Sequence, residues 1–317
     1  MQNEFSRYPE RPVLVIGSAG MDIVGRVRAD LQPRTSSPAN IRTSFGGVAR
    51  NVAENLARLG QPVNLISVVG QDEPGVQVLD TLVSAGVNVA GVLRSSDYPT
   101  STYLAVINSE GEMLYGLDDM RACLALTPDY ISSLEQMFDQ ASLVFIDANL
   151  PKDTLRRIMS ISRRKKLPVC ADPTSQTLAD KLKPYLPRLS MIVPNSREAE
   201  ILCERSISPS SRREVLAAAK CLVSGGVGIA IIGMAAFGVC YATSETCGHL
   251  PAIRTAVVDP TGAGDALTAT VIFGLLNDIS IDDAVRLGVT AASLTLRQRG
   301  TVLPDLSLEK LYDQLVS

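Results

Sequence analysis

The feature that most constrains this chain is the alternation of two patterns along it. Short, nearly continuous apolar runs recur at Pro12–Ala19 (PVLVIGSA), Pro62–Gly70, Ala141–Ala148, Leu167–Pro173, Leu189–Asn195 and Gly228–Ala235. Runs of that kind are strands buried on both faces. Between them lie segments of helical period, among them Asn51–Gly60, Pro74–Gly86, Lys152–Lys166 and Arg212–Gly226, several of them closed by a glycine. A strand followed by a crossover helix, repeated, packs as a mostly parallel sheet with helices on both faces. The expected class is therefore α/β, in three layers.

Two segments break the rhythm. Val24–Ser44 has no helical period, and Thr100–Asp118 reads as two alternating strands around a Ser-Glu-Gly turn, a hairpin pattern. Neither has a place inside a doubly wound sheet, so they are expected to pair with each other as a small β-lid formed by roughly residues 24–45 and 100–119. No repeat, low-complexity tract or linker divides the chain, and residues 1–317, 46% hydrophobic, are expected to form one domain around a large core.

Composition removes several function classes. A net charge of -3 leaves no basic footprint for nucleic acid or an anionic membrane surface. No apolar run approaches the ~20 residues of a membrane span, and MQNEFSRYPERP has neither a basic nor an apolar leader segment, so a cytoplasmic protein is expected. Six scattered cysteines without a C-x-x-C pair read as reduced thiols. The only histidine is His249, so a triad or a multi-histidine metal site would have to be built around that residue, and base chemistry falls to a carboxylate.

Val257–Thr270, VVDPTGAGDALTAT, offers such a carboxylate where a strand-like run passes into a helical one. Thr261 is the expected N-cap, and Gly262, Ala263 and Gly264 leave the backbone N–H groups of the helix start open to an anion. Asp265 falls in the first turn, where the helix terminus is expected to keep it ionised near neutral pH, able to accept a proton from an attacking alcohol. Taken alone, the stretch reads equally as an ordinary helix start with an aspartate complementing the dipole.

Phe45–Gly60, FGGVARNVAENLARLG, has the same dual character. Gly46 and Gly47 allow a close approach to a ligand and Asn51, in the first turn of a helix, suits sugar hydroxyls, or the pair is simply a tight turn before a helix. Asp22, in GSAGMDIVG, follows the first strand at the rim where open α/β sheets bind ligands, and reads either as a ligand contact or as a loop turn residue.

In order and spacing, GGVARNVAENLARLG, the Asn-x-x-Glu of VPNSREAE (Asn195, Glu198) and DPTGAGDALTATVIFGLL resemble the signatures of the ribokinase-like, PfkB-type carbohydrate kinases. The resemblance covers nearly the whole chain and implies a ribokinase-like three-layer fold with a β-lid. Within the family, the chain is most similar to the pseudouridine kinases. Arg50 directly before Asn51, the hairpin TSTYLAVINSEGEMLYGLDDM with its Gly-Glu-Met, and Asn149 in FIDANL carry that likeness.

The resemblance implies ATP-dependent phosphorylation of the 5′-hydroxyl of pseudouridine. Asp265 would be the catalytic base and Gly262, Ala263 and Gly264 the anion hole. Asp22, Gly47, Asn51 and Asn149 would hold the ribose hydroxyls, with Gly46, Arg50 and Asp265 also at the substrate. Thr102 and Asp119 in the lid would contact the base or close the site. Asn195 and Glu198 would organise Mg2+ through water and the ATP phosphates. ATP would lie along Gly233–Gly238 and Gly288–Leu296, the latter including Ser293, with Thr261, Gly262 and Gly264 toward its phosphates. The family also allows K+ near Asp259 and the loop after Thr295. A β-lid with exposed edges further suggests a homodimer paired through the lids. Some positions depart from the pattern: Gly20, Gly233, Ala235, Pro260 and Asp118 replace residues more usual in relatives. A kinase for another nucleoside or a furanose sugar is the alternative within the family. A ligand-binding relative without catalysis is the alternative outside it.

Overall fold

The computed structural model describes residues 4–28, 30–32, 34–110 and 113–316. The Gly111-Glu112 part of the hairpin's Gly-Glu-Met lies outside the described residues. In chain order the strands are β1 (Val13–Ile16), β2 (Gly20–Val27), β3 (Ala39–Gly46), β4 (Val63–Gly70), β5 (Asn88–Ser95), β6 (Ser101–Ile107), β7 (Met113–Asp119), β8 (Val144–Asp147), β9 (Val169–Asp172), β10 (Met191–Ile192), β11 (Ile229–Gly233), β12 (Val239–Ala242) and β13 (Cys247–Leu250).

All six apolar runs fall in one nine-stranded sheet, ordered β13-β12-β11-β10-β9-β8-β1-β4-β5. From β11 to β5 every neighbour is parallel, and the β11-β12-β13 edge is antiparallel. The continuous apolar runs follow from helical layers on both faces: β1, β4 and β8 are buried along their whole length. Two apolar cores result, one on each side of the sheet. The first is closed by the helices Val48–Arg58, Ala263–Leu276 and Ile281–Leu296, the second by Lys152–Lys165 and Arg212–Ser224.

The four-stranded sheet, ordered β3-β2-β6-β7, is the expected lid, with one correction. Its first strand starts at Gly20, earlier than expected, because the backbone runs straight from the rim of β1 into the second sheet. Asp22 therefore sits inside β2, opposite Ser44 of β3 and Tyr103 of β6, and is not a loop residue. The lid register sorts its side chains into two faces. One carries the row Ser44, Asp22, Tyr103, Asp118 and the row Arg42, Val24, Ala105, Gly116. The other carries Ile41, Val106 and Tyr115 and, one row on, Ile23, Leu104 and Leu117. All six cysteines are free thiols, with Cys221 and Cys247 exposed.

Candidate active site

The site forms where the carboxyl ends of β1, β8 and β9 meet the amino ends of two helices, beneath the face of the lid that carries Asp22. Parallel strands place their loops at one rim, and the helices that follow point their N–H groups back toward it. Gly262, not Thr261, is the N-cap of Ala263–Leu276. Its φ of 80° is left-handed, and any Cβ there would collide with the Thr301 carbonyl, so a glycine is required. Thr261 instead donates its N–H to Asp259 Oδ1 at 3.1 Å. No side chain caps this helix. The amides of Ala263, Gly264 and Asp265 therefore take no partner among the described residues and face outward as an anion cradle.

Asp265 stands beside that cradle and accepts a 2.7 Å hydrogen bond from Asn51 Nδ2. The orientation of the Asn51 amide is forced. Its Oδ1 accepts from Arg50 Nη1 at 2.9 Å and lies 2.9 Å from the Thr301 hydroxyl, and because a guanidinium has only donors, the NH2 end must face Asp265. The expectation of a carboxylate fully ionised near neutrality is corrected: burial pushes Asp265 up to about 7, against the pull of the Asn51 bond.

Arg50 is also corrected. It is 3% exposed, ion-paired with Glu54, and bonded to Asn51, Thr301 and the Phe45 carbonyl. It lies beneath the site and sets the Asn51 amide; it has no open face for a substrate. Glu54 is shared with Arg58, which donates at 2.8 Å.

A residue that sequence reading passed over holds the rim together. Asp147, at the end of β8, is fully buried and accepts from the Ser18 N–H and hydroxyl at 2.8 Å, the Ala49 N–H at 3.1 Å and the Asn149 N–H at 3.0 Å. One carboxylate thus ties the β1 loop to the first turn of Val48–Arg58 and to Asn149, whose amide donates to Ser18 Oγ at 3.0 Å. Burial raises its pKa and those four donors lower it. The stretch FIDANL signals it only as an aspartate ending an apolar strand, the position of a rim residue in an α/β sheet.

Asp22 takes no hydrogen bond from the described residues, and burial pushes it up to about 6, with Arg50 pulling the other way. Gly46 exists to admit it, since a Cβ on Gly46 would overlap the Asp22 carboxylate. Gly47 has a φ of 96° and packs on the Ser18 and Ala19 backbone. The lid assignments at Thr102 and Asp119 are corrected by register. Both lie in the row of Met21 and Phe45, on the face opposite Asp22. Asp119 is also held by Arg121 at 2.7 and 2.8 Å, which brings its carboxyl down to about 2. Tyr103 and Asp118 are the lid residues on the Asp22 side. Burial, then Asp22 and Asp118, raise the Tyr103 phenol. Alternation around Thr102 could have indicated Tyr103, because neighbours along a strand point to opposite faces.

At the next rim position Asn195 caps Ser196–Cys203 in a capping box: its Oδ1 accepts from the Glu198 N–H at 3.0 Å, and its own N–H donates to Glu198 Oε2 at 2.8 Å. Asn195 also bridges to Gly233 at the end of β11. Asp172, which ends β9, faces Glu198 and Asp265. Burial first, then these two carboxylates, hold its pKa well above the usual range. Gly238 serves the β11-β12 turn with a φ of 94° against the Leu250 carbonyl. Ser293, expected along the nucleotide, is buried, and its hydroxyl takes no partner among the described residues. His249 lies on β13, near the Phe237 carbonyl at 2.9 Å.

The family model described as the pfkB family carbohydrate kinase matches residues 11–307. The chain belongs to the pfkB family of carbohydrate kinases. It is accordingly a phosphotransferase that acts on an alcohol group. It is 32% identical to the pseudouridine kinase of Escherichia coli (strain K12), over 93% of this chain and 94% of that protein. It is 30% identical to the guanosine-inosine kinase of Exiguobacterium acetylicum, over 89% of this chain and 93% of that protein. Its fold matches that of Arabidopsis thaliana ribokinase complexed with ribose and ATP, with a TM-score of 0.84 at 21% identity, covering 96% of this chain and 98% of that one.

The rim of this family member fits a magnesium nucleotide on chemical grounds. Asp172, Glu198 and Asp265 crowd negative charge that a divalent cation relieves, and all are hard oxygen donors. No three acidic, histidine or cysteine side chains among the described residues form a group that could hold a metal by themselves.

Proposed function

We propose that the protein, as one kinase domain with its lid, transfers the γ-phosphoryl group of ATP to the 5′-hydroxyl of pseudouridine. The observation that carries the reaction is Asp265 beside three unpartnered helix N–H groups, its carboxylate oriented by Asn51. Asp265 Oδ1 or Oδ2 takes the proton of the attacking hydroxyl, and the amides of Ala263, Gly264 and Asp265 stabilise the charge of the phosphoryl group in flight. Glu198 and Asp172 would hold magnesium here, and the ion would supply further neutralisation of the nucleotide phosphates.

A nucleoside rather than a free sugar is supported by the lid. Asp22 offers an unbonded carboxylate for ribose hydroxyls, and Tyr103 on the same face offers an aromatic surface for a base. The names of the two relatives, a pseudouridine kinase and a guanosine-inosine kinase, point the same way. Asn149, Asn51 and the Gly46-Gly47 turn line the ribose side in this reading. Initial rates with ATP, magnesium and a panel of pseudouridine, uridine, adenosine, inosine, guanosine, ribose and fructose test it. Pseudouridine should give the highest kcat/KM, and clear turnover of another alcohol with none of pseudouridine would reject it.

The working form in this reading is a homodimer. The lid face turned away from Asp22 exposes Ile41 at 71%, Tyr115 at 62% and Leu117 at 64%, an apolar sheet surface that a second lid would cover.

A further inference from the structure

Asp259 lies three positions before the N-cap Gly262, and its surroundings set the shape of the anion cradle. It is 3% exposed. Its carboxylate accepts from the Thr261 N–H at 3.1 Å and from the Gly300 N–H at 3.4 Å. It thereby stitches the loop leading into the cradle to the segment carrying Thr301, whose hydroxyl in turn sets Asn51. A buried carboxylate in that role needs a counter-charge. The counter-charge comes from the lid: Arg42 Nη2 of β3 stands 2.8 Å from Asp259 Oδ2. Arg42 shares its register row with Val24, on the face that carries Asp22, so the ion pair crosses from the underside of the lid to the catalytic loop.

The family resemblance allows K+ near this aspartate, but the residues present do not fit one. The Asp259 charge is already met by a guanidinium, and two backbone N–H groups occupy further acceptor positions. An arginine keeps its charge at every working pH and carries its donors in a fixed plane, so it is a permanent substitute for a mobile ion.

We propose that Arg42 is the built-in counter-ion of Asp259, a positioning residue that makes the cradle independent of a monovalent cation and completes it from the lid. This rests on the phosphotransferase activity but not on the choice of pseudouridine, because the test uses whichever alcohol the substrate panel selects. Initial rates are measured for the intact protein and for Arg42→Ala and Arg42→Lys, across a KCl series balanced with choline chloride to constant ionic strength. The unsubstituted enzyme should change by less than about twofold across the series, because no step waits on the ion. Arg42→Ala should lose roughly tenfold to a hundredfold in kcat, the scale of a slightly misplaced catalytic group, and regain most of it with KCl but not with choline. Arg42→Lys should keep most of the rate. In thermal unfolding, KCl should raise the midpoint of Arg42→Ala relative to choline and leave that of the unsubstituted protein unmoved.

Strong activation of the unsubstituted enzyme by KCl would overturn the proposal. So would a folded Arg42→Ala with unchanged kcat, or a loss that neither lysine nor KCl repairs. If Arg42→Ala does not fold, Arg42→Gln takes its place, with the same readings.

Discussion

Asn51 Nδ2 donates to Asp265 Oδ2 across 2.7 Å, joining two helix starts that lie 214 residues apart in the chain. Because Arg50 and Thr301 hold the other end of that amide, the Asp265 carboxylate has a fixed direction before any substrate arrives. Such preorganisation is what lets a buried network act without rearrangement during the reaction.

Asp265→Asn keeps the shape of the side chain and removes its ability to take a proton. We expect kcat to fall by roughly 10²- to 10⁴-fold, the usual worth of a positioned general base. Calorimetric titration with the alcohol should still show binding of similar affinity. An effect of only a few fold on kcat would assign the base elsewhere.

The activity should also rise with pH through about 7, where burial has placed the Asp265 pKa, and level off above it. The protonated form below that value cannot act as base. Stability should run the other way. Asp265 has a folded pKa above its unfolded value of 3.8, so between those two values the folded state binds the extra proton. The stabilisation is present at low pH and is lost as pH rises through about 7. Asp22, raised to about 6, adds in the same direction. Asp265→Asn should therefore unfold at a higher temperature than the parent at pH 8, with the gap narrowing as the pH falls toward 4. Scanning calorimetry across the range gives the answer.

How much of this could be read beforehand depends on whether the information was local. The central strands were legible because burial on both faces writes a continuous apolar run, and the hairpin β6-β7 because alternation and its turn are local. The helix start that carries Asp265 is legible because its Gly-Ala-Gly-Asp stretch is contiguous. Roles set by tertiary contacts and strand pairing are less legible. Arg50, expected at the substrate, is enclosed by Glu54, Thr301 and Phe45, and strand register, which is not written in the local sequence, fixes that Tyr103 and not Thr102 shares the face of Asp22. Strand β2 starts at Gly20, ahead of the expected lid segment, because the backbone runs from the rim of β1 straight into the second sheet, and β5 and β13 are edge strands of the nine-stranded sheet, too weakly patterned to stand out. Asp147 was passed over because its importance lies in four donors from three segments, none of which marks the others in sequence.

The exposed lid face predicts its own experiment. Ile41 and Leu117 lie on that face, on opposite edge strands of the lid and away from Asp22, so charging them should leave the rim geometry alone. Ile41→Asp with Leu117→Asp should convert a dimer to a monomer in sedimentation velocity, because two carboxylates cannot be buried unpaired in an apolar contact. A parent that already sediments as a monomer at micromolar concentration would remove the dimer from the proposed function.

The two glycines of the cradle should respond in opposite ways to the same added methyl group. At Gly262 the backbone is left-handed and the methyl would strike the Thr301 carbonyl, so Gly262→Ala should cost at least about 1–3 kcal/mol of stability and misplace the helix start. At Gly264 nothing stands within 4 Å of the added carbon, and the residue lies in the first helical turn. Alanine there removes chain entropy from the unfolded state, so Gly264→Ala should be neutral or more stable by up to about 1 kcal/mol. The open space it fills, however, is the space beside the three free amides, where a transferring phosphoryl group would sit. Its kcat should therefore fall clearly although its melting temperature does not. A Gly264→Ala variant with full activity would mean that the phosphoryl group passes on another side of Asp265, and the base would have to be placed against a different set of donors.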